Sequence, residues 1–362
     1  MTAPAPVSER EILDALRVVR DPDLGRDIVA LGFVKDVRVA DAAVAFTIEL
    51  TTPACPVREQ MQQQAQRAVA ALPGVAGVQV RMTSRVRATP GETKQQLIPT
   101  VKNVVPIASG KGGVGKSTVT ANLAIALAQS GARVGIMDAD VYGPTIPTLL
   151  GVEDLPKPTA EGIVPAERYG VKLISMGFFL REDDAVIWRG PMLHKTVQHF
   201  LGSVVWGELD YLLVDLPPGT GDVQLTLCQS IPLTGAAIVS TPQDVALKVA
   251  QKAITMFTRL NTPVLGVIEN MAHYVCPHCG AHDEVFGSGG ARRAAERLEI
   301  PFLGEIPLAT VIRAQSDAGR PVVLDRASPF AAAYRAVAER LAAAVSIRVM
   351  QRELTPLVQI QF

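Results

Sequence analysis

With 362 residues, 35 basic and 35 acidic side chains and 48% hydrophobic content, the chain has room for one large α/β domain and a smaller one. The formal net charge of zero leaves no global basic field, which argues against charge-driven nucleic-acid binding. No apolar run reaches the roughly 20 residues of a membrane span, and four cysteines, two of them in one C-x-x-C, make no disulfide framework. The opening M-T-A-P-A-P-V-S-E-R lacks a charged segment followed by an apolar one, so no secretory signal is expected there. Together these features point to the cytoplasm, with no membrane and no nucleic acid as partner.

In chain order, Ser8 followed by Glu11 has capping-box spacing, and Ile12, Leu13, Leu16 and Val19 recur at helical intervals. Asp21-Pro22 stops that helix. Strand-like runs follow at Phe33–Val39 and Val44–Leu50, divided by a turn at Asp41, then a Gln-rich helix, Val57–Leu72, and a strand, Val75–Val86. This reads as a small α/β domain, residues 1–87. Ala88–Pro99 carries turn residues and little apolar pattern, so residues 88–101 read as a linker.

From Lys102, strand-like runs alternate with helical ones, the pattern of a mostly parallel sheet covered by helices on both faces. Strands are expected at Val104–Ala108, Arg133–Asp138, Lys172–Ser175, Tyr211–Asp215, Ala236–Ser240, Val264–Glu269 and Phe302–Ile306. Helices are expected at Ser117–Ser130, Asp222–Ser230, Val245–Leu260, Ser288–Leu298 and Ala327–Ala344. The domain is placed at 102–345. The tail 346–362, with Pro356, reads as strand or coil.

The first strand of this domain runs into S-G-K-G-G-V-G-K-S-T, which fits G-x-x-x-x-G-K-[ST] with Gly110, Gly115, Lys116 and Ser117 at the fixed positions. Glycines let a backbone wrap an anion, and the helix that follows adds its positive end. The fold class is therefore a P-loop NTPase. Gly110, Lys111, Gly112, Gly113, Val114, Gly115, Lys116, Ser117 and Thr118 form the expected phosphate cradle for ATP. Lys116 is placed to reach the β- and γ-phosphates and Ser117 to ligate Mg²⁺. Lys111 is a second cation inside the loop, able to reach the phosphates or a neighbouring subunit.

Two further motifs close strands. Tyr211–Asp222 ends a strand in Asp215, where a carboxylate can hold the Mg²⁺ shell, and Gly219 offers a backbone N–H for the γ-phosphate. Asp138-Ala139-Asp140 closes another, where an aspartate can orient the attacking water and sense the γ-phosphate.

Cys276-Pro277-His278-Cys279-Gly280 brings two sulfurs to one side of a turn, but zinc or a cubane cluster normally takes four ligands. Three completions are open: nitrogens from His273, His278 or His282 in a zinc site, a second Cys pair from a two-fold dimer, or a redox-active dithiol. Cys55 lies just ahead of a helix whose N-terminal dipole can lower its pKa, or is an ordinary loop cysteine. Cys228 reads as a buried helical cysteine.

The K-G-G-V-G-K-S-T, D-A-D-V-Y-G-P-T-I-P, D-L-P-P-G-T-G-D, E-N-M and C-P-H-C-G stretches together resemble the Mrp/ApbC family of iron–sulfur cluster carrier ATPases, of the deviant Walker A group. The resemblance covers Lys102 to about Arg340. Ser8–Val86 resembles the small iron–sulfur-assembly domain fused to such carriers. It implies a homodimer in which Lys111 crosses to the partner's nucleotide, Asp140 and Asp215 act as switch carboxylates, and Asn270 hydrogen-bonds adenine. Cys276 and Cys279 would bridge a [4Fe-4S] cluster between two subunits, for delivery to apo iron–sulfur proteins in exchange with scaffold proteins. The rival functions are a septum-site or partition-type positioning ATPase, a reductase-like electron donor and a zinc-binding NTPase.

Overall fold

The computed structural model describes residues 7–89, 97–140, 143–179, 198–219, 224 and 233–354. The chain divides into two compact units, Met1–Val86 and Arg87–Phe362.

In the first unit, α1 (Glu9–Leu16) starts at Ser8, whose hydroxyl accepts from the Glu11 N–H while the Glu11 carboxylate takes the Ser8 N–H at 2.8 Å. The capping box read from the sequence is thus present, and Ile12 and Leu16 are the residues it turns inward. Strands β1 (Val34–Ala40) and β2 (Ala43–Leu50) pair antiparallel, with Asp41 in the left-handed conformation (φ 54°) at the turn. On β2 Val44, Phe46, Ile48 and Leu50 are buried, the period-two pattern of a half-covered strand. Helix α2 (Arg58–Ala70) buries Met61, Ala65 and Val69, one face at four-residue spacing. It returns the chain so that β3 (Gly77–Ser84) runs parallel to β2, from Ala43↔Gly77 to Leu50↔Ser84.

The second unit contains β4 (Val101–Ser109), α3 (Lys116–Gln129), β5 (Val134–Asp138), α4 (Ile146–Leu150), β6 (Ala166–Arg168), β7 (Val171–Ser175), β8 (Leu209–Asp215), β9 (Ala236–Ser240) and α5 (Asp244–Arg259). It continues with β10 (Val264–Val275), β11 (His282–Asp283), α6 (Gly290–Arg297), β12 (Phe302–Leu308), α7 (Thr310–Asp317) and α8 (Pro329–Leu354). The strands lie in the order β12-β10-β9-β4-β8-β5-β7-β6, with β11 paired to the far end of β10. All neighbours are parallel except β6 and β11. β5, β8 and β9 are buried along their whole length, as strands covered on both faces must be. Thr89, in the stretch read as a linker, is buried here, its hydroxyl bonded to Asn103 at 2.9 Å.

Two expectations change. The tail after Ser346 is not strand or coil as far as Leu354: α8 continues, because Val345, Val349 and Met350 extend the buried stripe of Val337, Leu341 and Ala342. A proline at 356 disfavours helix around its own position and the residue before it, so it does not forbid a helix as far as Leu354. The strand expected at Val264–Glu269 runs on to Val275, which carries it to the cysteine pair. The helix expected at Asp222–Ser230, with Cys228, lies outside the described residues apart from Gln224. No described helix is long and apolar enough to cross a membrane.

Candidate functional site

Strand order assembles the site. β9, β4, β8 and β5 are neighbours and parallel, so their carboxyl ends, Ser240, Ser109, Asp215 and Asp138, finish along one edge. The loop after β4 opens there into a cleft of ≈ 320 Å³ lined by residues that include Lys111, Gly113, Ser117 and Asp140. Gly113 and Gly115 both have φ 77°, conformations that side-chain-bearing residues avoid. Nothing stands within 4 Å of where a Cβ of Gly113 would be. A phosphate fits such a cradle, with the N-terminus of α3 beneath it.

Asp215 is completely buried and saturated by α3. Lys116 Nζ donates to its Oδ2 at 2.6 Å, Ser117 Oγ to the same oxygen at 2.6 Å, and Thr120 Oγ1 lies 2.7 Å from Oδ1. The sequence expectation placed Lys116, Ser117 and Asp215 together; Thr120, which it missed, follows from its place four residues after Lys116 on the same helix face. Ser117 Oγ and the Asp215 carboxylate supply hard oxygens next to the cradle, a donor set that suits Mg²⁺. Asp140 is mostly buried, with Oδ2 3.9 Å from Lys116 Nζ.

Asp138 is the second carboxylate that matters. It is the register partner of Asp215 across β5 and β8. Its carboxylate accepts from Ser175 Oγ at 2.9 Å and from the N–H groups of Asp140 and Ile146, each at 3.2 Å. Burial first, and then the charge of Asp215, pushes its pKa up to about 7. The sequence showed Asp138 only as a strand end; that it faces Asp215 is a consequence of sheet order.

Other expected residues have partners of their own. Lys111 Nζ donates to Gln243 Oε1 of the same chain at 3.1 Å, an interaction no motif announced. The Gly219 N–H donates to the Ser109 carbonyl at 3.0 Å, so a phosphate would have to compete for it. Thr118 lines the cleft and its carbonyl accepts from Asn122. The Asn270 side-chain amide donates to the Val114 carbonyl at 2.8 Å, against the phosphate loop. Glu269, quoted from the sequence without a role, is fully buried and accepts the N–H groups of Gly289 and Ala291, capping α6.

The cysteines lie in the turn between β10 and β11. The Cys276 N–H donates to the Ala281 carbonyl and the Gly280 N–H to the Cys276 carbonyl, both at 2.9 Å. Cys276 is half-buried and Cys279 exposed. The His278 N–H, then the Cys279 N–H and thiol, hold the Cys276 thiol below its ordinary range, which favours the thiolate a metal takes. His273 and His282 stack ring on ring, centroids 4.5 Å apart. Among the described residues no three His, Cys, Asp or Glu side chains converge on a common metal position. A Cys₂His₂ zinc site within one chain therefore finds no support among them.

The comparisons with known proteins agree with this geometry. Residues 100–342 match the family model described as NUBPL iron-transfer P-loop NTPase, and residues 9–80 match that of an iron–sulfur cluster assembly protein. The iron–sulfur cluster carrier protein of Synechocystis is 45% identical over 94% of this chain and 98% of its own. That of Deinococcus radiodurans is 47% identical over 94% and 96%. Among solved structures, the ADP complex of a nucleotide-binding protein from Archaeoglobus fulgidus is 43% identical, with a TM-score of 0.57 over 66% of this chain and 94% of that one. The Pyrococcus furiosus cell division ATPase MinD, 24% identical with a TM-score of 0.51, shares the fold. With both units matched and the phosphate loop intact, the chain belongs to the iron–sulfur cluster carrier family of P-loop NTPases, and carries the family's N-terminal cluster-assembly domain.

Proposed function

We propose that this protein is an iron–sulfur cluster carrier that binds and hydrolyses ATP with Mg²⁺. Its cargo is a [4Fe-4S] cluster held by Cys276 and Cys279 of two chains and delivered to apo-proteins. The observation that carries the reading is the ligand count: one chain offers two thiols in one turn and, among its described residues, no third ligand beside them. A cubane takes four thiolates, so two copies of this turn complete it. The carrier names of the relatives support the cargo, and the ADP-bound neighbour supports the nucleotide.

The protein's own part in hydrolysis follows from its charges. Mg²⁺ held at the cleft would offset charge on the β- and γ-phosphates. Lys116, paired with Asp215, is the cation placed to serve those phosphates, and Ser117 and Asp215 would hold the Mg²⁺. Asp140 at the cleft orients the attacking water, and Lys111 adds charge where the leaving phosphate develops it. Asn270, whose amide now bonds the Val114 carbonyl, would be the residue offered to adenine. A cluster shared across a two-fold axis stays near the surface and can be released when the subunits shift.

The test is anaerobic reconstitution of the full chain with iron and sulfide. One four-iron cluster per two chains, with loss of absorbance and of dimer in Cys276→Ala, is the expected result. A full cluster on a single chain would sink the proposal. A positioning role at a membrane finds no support in α8, whose apolar stripe of Leu341, Val345 and Val349 is buried within the chain.

A further inference from the structure

β10 joins the two halves of the proposed function, and its middle is built irregularly. Its first part already slips once against each neighbour, between Val264 and Gly266 on the β9 side and between Val267 and Ile268 on the β12 side. It then runs parallel to both, with Glu269 opposite Ser240 and Glu305. Glu269 is fixed by the two N–H groups of the α6 turn. The next residue, Asn270, donates to the Val114 carbonyl of the phosphate loop, and a methyl group built on Gly115 would fall on that same amide. Met271 then adopts φ 58°, the left-handed region, where a long side chain is rarely found. The Met271 side chain also reaches the loop, its Cε lying 3.6 Å from the same Gly115 position.

The pairing with β12 slips at this point. Asn270 is opposite Ile306 and Tyr274 opposite Leu308, so the β10 segment between them is longer than its partner by two residues. The residue facing that segment is Pro307, which has no N–H to give to a ladder. Beyond the slip, regular structure resumes: Tyr274 and Val275 pair with β11, and the Cys276 N–H is bonded to Ala281.

We propose that Asn270 and Met271 form a hinge through which the phosphate loop sets the position of Cys276 in the same chain. This rests on the reading of Cys276 and Cys279 as the cargo site and adds a path by which nucleotide acts on it. The physical argument is one of constraint. Any shift of Val114 or Gly115 as the loop takes a phosphate is felt at Asn270, whose amide bonds the Val114 carbonyl and lies against Gly115. Glu269 is anchored, so the displacement cannot run back along the strand. The segment between Asn270 and Tyr274 is two residues longer than its partner and faces a proline that can give no N–H, and the left-handed Met271 has a lower-energy backbone state to move toward. The displacement therefore passes forward to the hairpin that holds Cys276.

Alkylation of the reduced, cluster-free full chain tests this without any cargo. Cys276 and Cys279 are followed peptide by peptide with iodoacetamide, with and without saturating Mg²⁺ and a non-hydrolysable ATP analogue, and Cys55 is the internal control. In the wild type the nucleotide changes the Cys276 rate by about fivefold or more and leaves Cys55 unchanged. In Met271→Gly, where the backbone has no strained state to leave, the nucleotide still binds but the response falls below about twofold. Pro307→Ala, which restores a donor opposite the bulge, also reduces the response. A wild type whose Cys276 rate ignores bound nucleotide overturns the hinge, as does a Met271→Gly response equal to wild type. These outcomes are separate from the cargo reading. A chain that takes up a bridging cluster but shows no response loses the hinge alone, and a chain that responds but holds no iron and sulfide loses the cargo alone.

Discussion

Asp138 and Asp215 stand opposite one another on β5 and β8, and among the described residues only Asp215 has a cation in contact, Lys116 at 2.6 Å. Two buried carboxylates on adjacent strands cannot both ionise cheaply, so the one without a cation gives up its proton only as pH approaches about 7.

That gives a pH dependence with a definite sign. The carboxyl of Asp138 has its pKa raised from an ordinary 3.8 to about 7, so the folded chain binds this proton more tightly than the unfolded one. Its contribution is neutral below the unfolded value and becomes increasingly destabilising as pH rises through that window, reaching its full extent above about 7. In thermal unfolding from acid to mildly alkaline buffer, Asp138→Asn should flatten the fall in stability. An unchanged slope in the variant would remove Asp138 as its source.

Lys116 pairs with Asp215 and is the proposed phosphate cation, and its removal should test both parts. Lys116→Ala leaves Asp215 buried without its cation, a loss of about 3 kcal/mol in urea unfolding. It should also weaken binding of a fluorescent ATP analogue roughly tenfold to a hundredfold. A variant as stable as the wild type would mean that the ion pair contributes nothing to the fold.

Gly115→Ala tests the loop backbone. The position has φ 77° and no room beside the Asn270 amide. Strain of about 1–2 kcal/mol is expected, together with a lower nucleotide affinity. Gly113→Ala, with open space around it, should cost only the strain.

Lys111 bonds to Gln243 within its own chain, yet as a second phosphate cation it should matter chiefly in turnover. Lys111→Ala is expected to slow hydrolysis about a hundredfold or more while changing nucleotide affinity little. If Gln243→Ala causes an equal loss, the lysine acts through that internal contact instead.

The end of α8 gives a stability test. Val349 is 2% exposed, so Val349→Asp should cost about 3 kcal/mol, measured by denaturant titration. A free tail would tolerate the change.

The linear order of residues was enough for the phosphate loop, the capping box at Ser8, the strand–helix alternation and the cysteine turn. Each of these is written in neighbours: a glycine spacing, a hydroxyl three residues before a carboxylate, a period of two or of 3.6. The limits of α8 were misjudged because a single Pro356 was given weight over the buried period that precedes it.

What the amino-acid order alone determined was therefore the local chemistry: which loop carries the phosphate-binding motif, which carboxylates end strands, and which turn holds the thiols. Only the folded chain decided who meets whom. Sheet order set Asp138 against Asp215, brought Gln243 to Lys111, and laid Asn270 on the phosphate loop. Such pairings join residues on different strands or loops, far apart along the chain, and no local period encodes them, because they follow from which parallel strands become neighbours.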